Sequence, residues 1–262
     1  MNLSLAGRSA LVCGSTQGIG KAAAIELALL GAQVTLLARN ESALKAVAAK
    51  LPRVGSVQHT WQVADFSDVA TVQAAIQRIT AANHPHHILI NNTGGPPGGT
   101  ALDATTDAFL AAFSAHLICN QLLTQAVVPQ MKAAGFGRIV NIISTSVKAP
   151  IPNLGVSNTI RGAVASWAKT LASELGPFGI TVNNVLPGFT STDRLASLTK
   201  SKSEASGASL EQVEKDLKAT IPAARFGTPE ELGSAVAFLC SPAAAYINGI
   251  NLPVDGGRLP TL

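Results

Sequence analysis

Short apolar runs rich in β-branched residues alternate with longer stretches of helical spacing along the whole chain. Apolar runs of about four to eight residues indicate buried strands, whereas apolar positions repeated every three or four residues indicate helices packed on a core. Alternation of the two is typical of βαβ units, in which helices cover both faces of a parallel sheet. The candidate strands are Ser9–Cys13, Gln33–Ala38, Val57–Val63, Ile88–Asn91, Ile139–Ile143, Thr181–Leu186 and Asn251–Val254.

Helical spacing is clearest over Lys21–Leu30 and Asp103–Lys132. The run Thr228-Pro229-Glu230-Glu231 combines an N-cap Thr, a Pro at the first helical position and a Glu at the third, which predicts a capping box. Ser209 and Gln212 resemble a second capping box, and we expect a short helix there.

The polar segment from about 191 to 220 contains that short helix and is long for a connection in a compact domain. We therefore expect it to form a lid or a binding loop. No change in composition marks a second domain, so residues 1–262 are expected to form one domain.

Composition and charge favour some classes of function over others. The chain has 262 residues, of which 47% are hydrophobic and 13% charged, which is enough for one large core. Its net charge is +4, but the Lys and Arg residues are dispersed and the aromatic residues do not interleave with them. This pattern argues against a nucleic-acid partner, and a mild positive balance suits a phosphorylated ligand.

The cysteines and histidines predict no metal site. Cys13, Cys119 and Cys240 lie far apart in apolar segments, so buried thiols are expected rather than disulfides or zinc ligands. Another cluster, His84, His86 and His87, precedes a strand in a turn that contains Pro. No further ligands converge on it, so a surface turn is expected.

The N-terminal run MNLSLAGRSALVCGS has no basic region followed by an apolar core, which argues against a signal peptide. No uninterrupted apolar run reaches the roughly 18 residues of a membrane span. A cytoplasmic protein without a membrane partner is the expectation.

A glycine-rich loop follows the first strand and opens a helix. Its residues are Gly14, Ser15, Thr16, Gln17, Gly18, Ile19 and Gly20. Glycines allow the backbone to turn tightly and approach a pyrophosphate, which the free N–H groups of the following helix then bind. The loop predicts a dinucleotide site, with a purely structural glycine turn as the alternative.

The second strand ends at Ala38, and Arg39 follows it. An acidic residue at this position would bind the ribose 2′-hydroxyl of NAD, whereas an Arg binds a 2′-phosphate. Arg39 therefore favours NADP(H) over NAD(H). The alternative is a solvated charge at the start of a helix.

Three further motifs occur later in the chain: Asn91-Asn92-Thr93-Gly94-Gly95, Pro187-Gly188 with Thr192, and Val254-Asp255-Gly256-Gly257. Together with the G-x-x-x-G-x-G loop, they span almost the whole chain and resemble the short-chain dehydrogenase/reductase family, in its β-ketoacyl-acyl-carrier-protein reductase-like group. The resemblance implies an α/β Rossmann fold with one doubly wound, seven-stranded parallel sheet and helices on both faces.

The resemblance also implies several cofactor contacts. Asn92, Thr93 and Gly94 would line the cofactor site, and the backbone of Pro187 and Gly188, with Thr192, would approach the nicotinamide amide. Asp65, followed by Phe66, would hold the adenine amino group. As an alternative, Asp65 or Ser67 caps the next helix.

The family's catalytic set is a Ser, a Tyr, a Lys and an Asn. The residues flanking Ser144 match those of the family Ser, the usual offset from it leads to Ser157 in place of Tyr, and one helical turn further lies Arg161 in place of Lys. The family register of the preceding long helix puts His116 at the Asn position. Only Ser144 is retained by type, which marks a divergent subgroup with a degenerate tetrad.

These replacements change the expected chemistry. Ser157 is shorter than Tyr and a far weaker acid than a phenol of pKa about 10, so at most it orients a water. Arg161 stays charged and binds ribose hydroxyls, but it does not shuttle protons. His116 could relay a proton or be satisfied by a backbone carbonyl. Lys148 could point into the cleft or face solvent.

Two functions follow as hypotheses. The first is an NADP(H)-dependent reductase of a small carbonyl or acyl-thioester substrate with altered proton delivery, since hydride transfer depends chiefly on the cofactor and its orientation. The second is a dinucleotide-binding sensor or partner subunit with little activity. The resemblance further implies a homotetramer or homodimer, with interfaces on Asp103–Lys132, Ser157–Leu175 and the C-terminal strand.

Overall fold

The computed structural model describes residues 1–82 and 84–261, which form one α/β domain around a seven-stranded parallel sheet. The strands are β1 Ser9–Cys13, β2 Gln33–Ala38, β3 Thr60–Val63, β4 Ile88–Asn91, β5 Gly137–Ile142, β6 Ile180–Pro187 and β7 Asn251–Val254. Their order is β3-β2-β1-β4-β5-β6-β7. The strand order reverses between β1 and β4, where the carboxyl ends of strands leave a crevice for a ligand.

Helices cover both faces of the sheet. They are α1 Gly18–Leu29, α2 Glu41–Lys50, α3 Val69–Ala81, α4 Thr106–Phe113, α5 Cys119–Ala134, α6 Gly155–Leu175, α7 Asp193–Ser206, α8 Leu210–Ala219 and α9 Pro229–Cys240. Successive side chains of a strand point to opposite faces. In β1, Ala10 and Val12 therefore pack with α1, α2 and α9, while Leu11 and Cys13 pack with α3, α5 and α6.

The strand prediction is confirmed in number and order. The bounds of β1, β2, β4 and β7 agree with the sequence pattern, whereas β5 and β6 begin one or two residues earlier. The third strand begins at Thr60 instead of Val57. It is an edge strand that pairs only with β2, over Thr35 to Ala38, and edge strands are commonly short.

Helix capping follows the sequence at one of the two predicted boxes. Thr228 and Glu231 form the complete box of α9. Ser209 caps α8 by accepting from the Gln212 N–H, but the Gln212 side chain donates forward to Asp216 Oδ1 at 2.7 Å, so the box is only half formed.

The cap of α3 differs from both alternatives that the sequence suggested. Asp68 caps this helix by accepting from the Ala70 N–H at 3.0 Å. Asp65 accepts from the N–H and the hydroxyl of Ser67 instead, which leaves it at the end of β3.

The predicted long helix runs continuously from Thr106 to Ala134 through a π-helical turn, Ser114–Ile118, between α4 and α5. Among the described residues it is the one helix whose length and apolar composition would suffice to cross a membrane. It packs its buried side, including Leu123 and Met131, into the core beside the sheet, as a core helix does.

Four asparagine side chains cross the sheet in register from β4 to β7. Asn91 donates to Asn141 at 2.9 Å, Asn141 donates to Asn184 at 2.8 Å, and Asn184 donates to Asn251 at 2.8 Å. These residues are direct partners on adjacent strands. The two middle amides, Asn141 and Asn184, each accept one of these bonds and donate the next, whereas Asn91 Oδ1, at the first end of the row, has no partner among the described residues.

The expectation of a surface histidine turn is wrong for two of its three residues. His86 and His87 are 3% and 8% exposed, and His86 Nε2 lies 3.1 Å from Thr35 Oγ1. Burial, and then the neighbouring histidines, lower the pKa of His86 to about 4. The prediction of three free, buried cysteines is confirmed.

Candidate active site

The glycine loop between β1 and α1 is packed so closely that side chains would not fit. Gly14 has φ +56°, and a Cβ there would lie 2.6 Å from both Asn92 Nδ2 and Asn92 O. A Cβ on Gly20 would collide with the Gly14 carbonyl oxygen. Gly18 has φ +54°, which glycine adopts without strain. The backbone of this loop is thus bare at the amino end of α1, as the close approach of a pyrophosphate requires.

Asn92 fastens this loop to the end of β4. Its Nδ2 donates to the carbonyl oxygens of Cys13 and Gly14, at 3.3 and 3.2 Å. These bonds join the end of β4 to the end of β1, where the strand order reverses, so Asn92 forms part of the floor of the crevice.

Ser15 lies behind the loop. It is fully buried, and its Oγ accepts from the Leu37 N–H at 3.1 Å. This bond holds the loop to β2 and leaves the hydroxyl hydrogen of Ser15 to donate, so its contact with a cofactor stays a prediction. Gln17, at the N-cap of α1, is exposed, and Ile19 is half-buried against the core.

The far end of the crevice carries Arg39 and Asp65. Arg39 is exposed directly after β2, and the cap of α2 is the neighbouring Asn40, so the Arg39 side chain is not used in starting that helix. Hydrogen bonds from Ser67 lower the pKa of Asp65, and the positive charge of Arg39 lowers it further. Phe66 packs into the core, so only its backbone remains beside the crevice.

The other wall is built from the end of β6. Gly188 N–H donates to the Val254 carbonyl, and a Cβ on Gly188 would lie 2.6 Å from Asp255 Cα, so the two C-terminal motifs pack against each other. Thr192 caps α7, and its methyl lies 3.3 Å from where a Gly18 Cβ would stand. The start of α7 thus reaches across to the glycine loop.

Ser144, Ser157 and Arg161 lie at the carboxyl end of β5 and on α6. Ser144 is half-buried and accepts from the Ser146 N–H at 3.1 Å. Ser157 and Arg161 are each 8% exposed, one helical turn apart on the buried side of α6. Arg161 Nη1 donates to the Ile142 carbonyl at 3.0 Å. This bond fixes the guanidinium at the strand end that leads to Ser144.

Arg161 is a buried charge without an acidic partner. None of the ion pairs among the described residues includes it. Burial, and then the charge of Arg194, lower its pKa to about 10, so it remains protonated at neutral pH.

His116 lies in the π-helical turn and is 2% exposed. Burial is the main cause that lowers its pKa to about 3, and the charges of Arg161 and Arg194 add to it, against an opposing effect of the Gly94 backbone. The imidazole is therefore neutral at physiological pH, so it is not a standing acid. Its neighbours are those charges and the loop after β4, which contains Thr93 and Gly94.

Arg194, in the first turn of α7, also reaches this centre, and the sequence patterns did not single it out. Its Nη1 and Nη2 donate to the carbonyl oxygens of Gly95 and Pro96, each at 3.3 Å. The sequence offered one indication of this role, which is that Arg194 lies two residues after Thr192. Nothing else in the local sequence distinguishes Arg194 from the other charged residues of segment 191–220.

Lys148 is half-buried in the loop after Ser144, so it does not simply face solvent. The chain's single tyrosine, Tyr246, is fully exposed before β7, at the opposite edge of the sheet from the carboxyl ends. It therefore cannot replace the missing phenol within the same chain.

Two surface depressions border the centre without enclosing it, and both adjoin the loop that follows Ser144. They measure about 360 and 140 Å³ and share Pro150, Ile151 and Pro152 as a common wall. The larger also contacts the start of α6 at Gly155 and Asn158. Within residues 1–82 and 84–261, no three His, Cys, Asp or Glu side chains are grouped as a metal site would require.

Comparisons with known proteins show what the chain as a whole is similar to. Residues 14–258 match a family model described as enoyl-(acyl carrier protein) reductase. The chain is 34% identical over 257 residues to the 3-oxoacyl-[acyl-carrier-protein] reductase of Pseudomonas aeruginosa, with 97% of this chain and 98% of that protein covered.

Solved structures show the same architecture. The L-sorbose reductase of Gluconobacter frateurii, complexed with NADPH and L-sorbose, aligns over the full length of both chains with a TM-score of 0.93 and 29% identity. A putative NAD(P)-dependent gluconate 5-dehydrogenase from Beutenbergia cavernae with bound NADP aligns equally completely, with a TM-score of 0.88 and 32% identity.

Proposed function

The chain belongs to the short-chain dehydrogenase/reductase family of oxidoreductases, and we propose that it is an NADP(H)-dependent reductase of a carbonyl substrate. The proposal depends on one observation: a cofactor loop and a set of polar side chains lie at the carboxyl edge of the same sheet. The glycine loop leads from β1 to the amino end of α1, where a dinucleotide would bind, and Ser144 and Arg161 both lie at the end of β5, two strands away.

NADP(H) fits the residues present. The loop leads into α1 at Gly18, whose first backbone N–H groups lie before the intrahelical bonds and would bind a pyrophosphate, and exposed Arg39 would bind a 2′-phosphate. Bound NADPH would supply the hydride. Thr192 and the Pro187–Gly188 backbone would orient the nicotinamide end.

Ser144 and Arg161 would polarise the substrate carbonyl. Ser144 Oγ already accepts a hydrogen bond from the Ser146 N–H, so its own hydrogen is left to donate to the carbonyl oxygen. The fixed cation of Arg161 would stabilise the negative charge that develops on that oxygen in the transition state. A preorganised donor of this kind contributes about 3 kcal/mol to catalysis in other enzymes.

Proton delivery would differ from that of the family. The Ser157 hydroxyl is too weak an acid to give up its proton, and Arg161 stays protonated, since its pKa is about 10. Neutral His116 relays protons but supplies none of its own at neutral pH. We therefore assign the proton to water, oriented by Ser157 and His116 in the small space that a phenol would otherwise fill.

A 3-oxoacyl-like substrate is the proposed class, by analogy with the Pseudomonas reductase. A second candidate, a dinucleotide-binding sensor or partner subunit, is favoured by one observation: the chain has no tyrosine near α6. The two functions differ in a single measurable property, which is the oxidation of bound NADPH.

The test is a fluorescence titration with NADPH and NADH, followed by addition of acetoacetyl-CoA to the same sample. NADPH should bind more tightly than NADH and then be oxidised. Ser144→Ala should lower the rate constant about 100-fold, because the loss of one oxyanion donor has effects of this size. Ser173→Ala, at an exposed serine on the outer side of α6, is the matched control. Binding without oxidation across a panel of carbonyl compounds would favour the second candidate.

Self-association through the long helix is also proposed. Leu110, Phe113 and Ile118 are 64%, 37% and 36% exposed along α4 and the π-helical turn, which is unusual for large apolar side chains in a helix of the core. Sedimentation should give a dimer or tetramer at micromolar concentration, and Leu110→Lys should shift it towards monomer. A monomeric wild-type protein would refute this proposal.

A further inference from the structure

The loop after β4 is flanked by two guanidinium groups from different elements. A Cβ on Gly95 would lie 3.0 Å from Arg194 Nη2 and 3.7 Å from Arg161 Nη2. Arg161 comes from α6 and is anchored to Ile142, whereas Arg194 comes from α7 and is anchored to Gly95 and Pro96. Two like charges thus converge on one point of the cleft.

Within the described ranges 1–82 and 84–261, no acidic side chain forms an ion pair with either arginine. The ion pairs among the described residues use Glu41, Glu204, Glu214 and Glu231, all with other cations. Like charges repel, and taking a charge out of water is unfavourable unless a counter-charge is present. The fold therefore maintains an uncompensated positive charge, part of it buried, next to Ser144.

The dinucleotide phosphates do not account for the pair. The glycine loop and the amino end of α1 lie after β1, whereas Arg161 is bound to the end of β5, with β4 between them. Arg39, at the end of β2, serves the opposite end of the crevice. The pair lies instead on the side where the substrate carbonyl meets Ser144.

We propose that the substrate carries a carboxylate close to its carbonyl group, and that Arg194 and Arg161 Nη2 bind this carboxylate while Ser144 binds the carbonyl oxygen within reach of the same Arg161 charge. The proposal rests on the proposed function and narrows its 3-oxoacyl-like substrate to the free 3-oxo acid, so acetoacetyl-CoA, in which that carboxyl is an uncharged thioester, would be the weaker ligand. Guanidinium groups suit this role because their planar forks match a carboxylate and stay charged.

His116 fits the same picture. Its ring is buried beside both cations, and a neutral imidazole there adds a hydrogen-bonding group without a third positive charge. Arg194 also lies on segment 191–220, so a bound carboxylate would link α7 to α6 across the cleft.

The test measures binding, separately from turnover. Protein saturated with NADP⁺, which cannot reduce a ketone, is titrated by calorimetry with acetoacetate and with its uncharged ester, ethyl acetoacetate. Acetoacetate should bind at least about tenfold more tightly than the ester, which corresponds to one charge-assisted hydrogen bond. Arg194→Gln should remove this preference and Arg194→Lys should retain part of it. Lys200→Gln, an exposed cation on the same helix, should leave it intact.

Equal affinities in the wild type, or an unchanged preference in Arg194→Gln, would overturn the inference. So would a loss of NADP⁺ affinity in Arg194→Gln as large as the loss for acetoacetate, because the pair would then serve the cofactor. The two proposals fail separately. Selective acetoacetate binding without NADPH oxidation would refute the reductase alone, whereas equal reduction and binding of ester and acid would refute the oxo-acid site alone.

Discussion

Arg161 Nη1 donates to the Ile142 carbonyl oxygen at 3.0 Å, so the helix of the candidate site is bound to the strand that ends beside it. The same guanidinium is 8% exposed and faces Arg194 without a carboxylate between them. One side chain thus positions the site and destabilises the domain around it.

Removal of the Arg161 charge should increase the stability of the fold and weaken ligand binding. Arg161→Met should raise the free energy of unfolding by about 1 kcal/mol, because an unpaired buried charge is replaced by an apolar side chain of similar length. The affinity of the NADP⁺ complex for acetoacetate should fall about tenfold through loss of a charge-assisted donor. Denaturant unfolding and calorimetric titration measure the two effects. Arg53→Met, at an exposed arginine, should change neither, and a destabilised Arg161→Met protein would contradict the expectation.

Gly20→Ala and Gly162→Ala should act in opposite directions. A Cβ at Gly20 meets the Gly14 carbonyl oxygen, so the loop must shift, and we expect lost NADPH binding with about 2 kcal/mol of destabilisation. Gly162 lies in α6 with nothing within 4 Å of a Cβ, so alanine there should stabilise the protein by about 0.5–1 kcal/mol through helix propensity. Thermal melts with and without NADPH measure both effects. Normal NADPH binding by Gly20→Ala would contradict the role of the loop.

Acid should destabilise the domain partly through His86. The folded-state pKa is lowered to about 4 from 6.5, so the unfolded chain binds the proton more readily. The stability is fully present above about pH 6.5 and is lost as the pH falls towards 4. His86→Gln should flatten the dependence of unfolding free energy on pH in this window, by on the order of 2 kcal/mol. His84→Gln, at an exposed neighbour, should not, and equal slopes for both variants would contradict the assignment.

Asn141→Leu should break the asparagine row at its centre. The change removes two hydrogen bonds and leaves Asn91 Nδ2 and Asn184 Oδ1 buried without partners, which costs about 2–4 kcal/mol. Asn158→Leu, at a loop-facing amide on α6, should cost less. Urea unfolding gives both values. If the two variants lose the same free energy of unfolding, the asparagine row stabilises the fold no more than an ordinary side-chain hydrogen bond does.

The sequence predicted the sheet because buried parallel strands are continuous apolar runs, and four strand bounds were correct. It predicted the glycine loop because close backbone approach restricts residue choice at Gly14 and Gly20. The sequence did not predict burial where a side chain is covered by an element that lies far away along the chain. His86 was expected at the surface because its partner, Thr35, lies on a strand fifty residues away in sequence.

The same limit applies to the candidate site. Ser144, Ser157 and Arg161 could be located because they lie on one strand–loop–helix unit with a recognisable register. Arg194 could not, since its meeting with Arg161 depends on how α7 folds over the loop after β4. The bond from the Leu37 N–H to Ser15 Oγ could not be predicted either, because a loop residue can face a ligand or the neighbouring strand and its spacing does not tell which.

The start of α7 touches both sides of the crevice, at Gly18 through Thr192 and at Gly95 and Pro96 through Arg194. A dinucleotide would therefore have to bind beneath the start of α7. A substrate held by Arg194 would then block the path by which the dinucleotide leaves. Steady-state kinetics should therefore follow a compulsory order, in which NADPH adds first and NADP⁺ leaves last. The second substrate would thus keep the first in its site until the product has left.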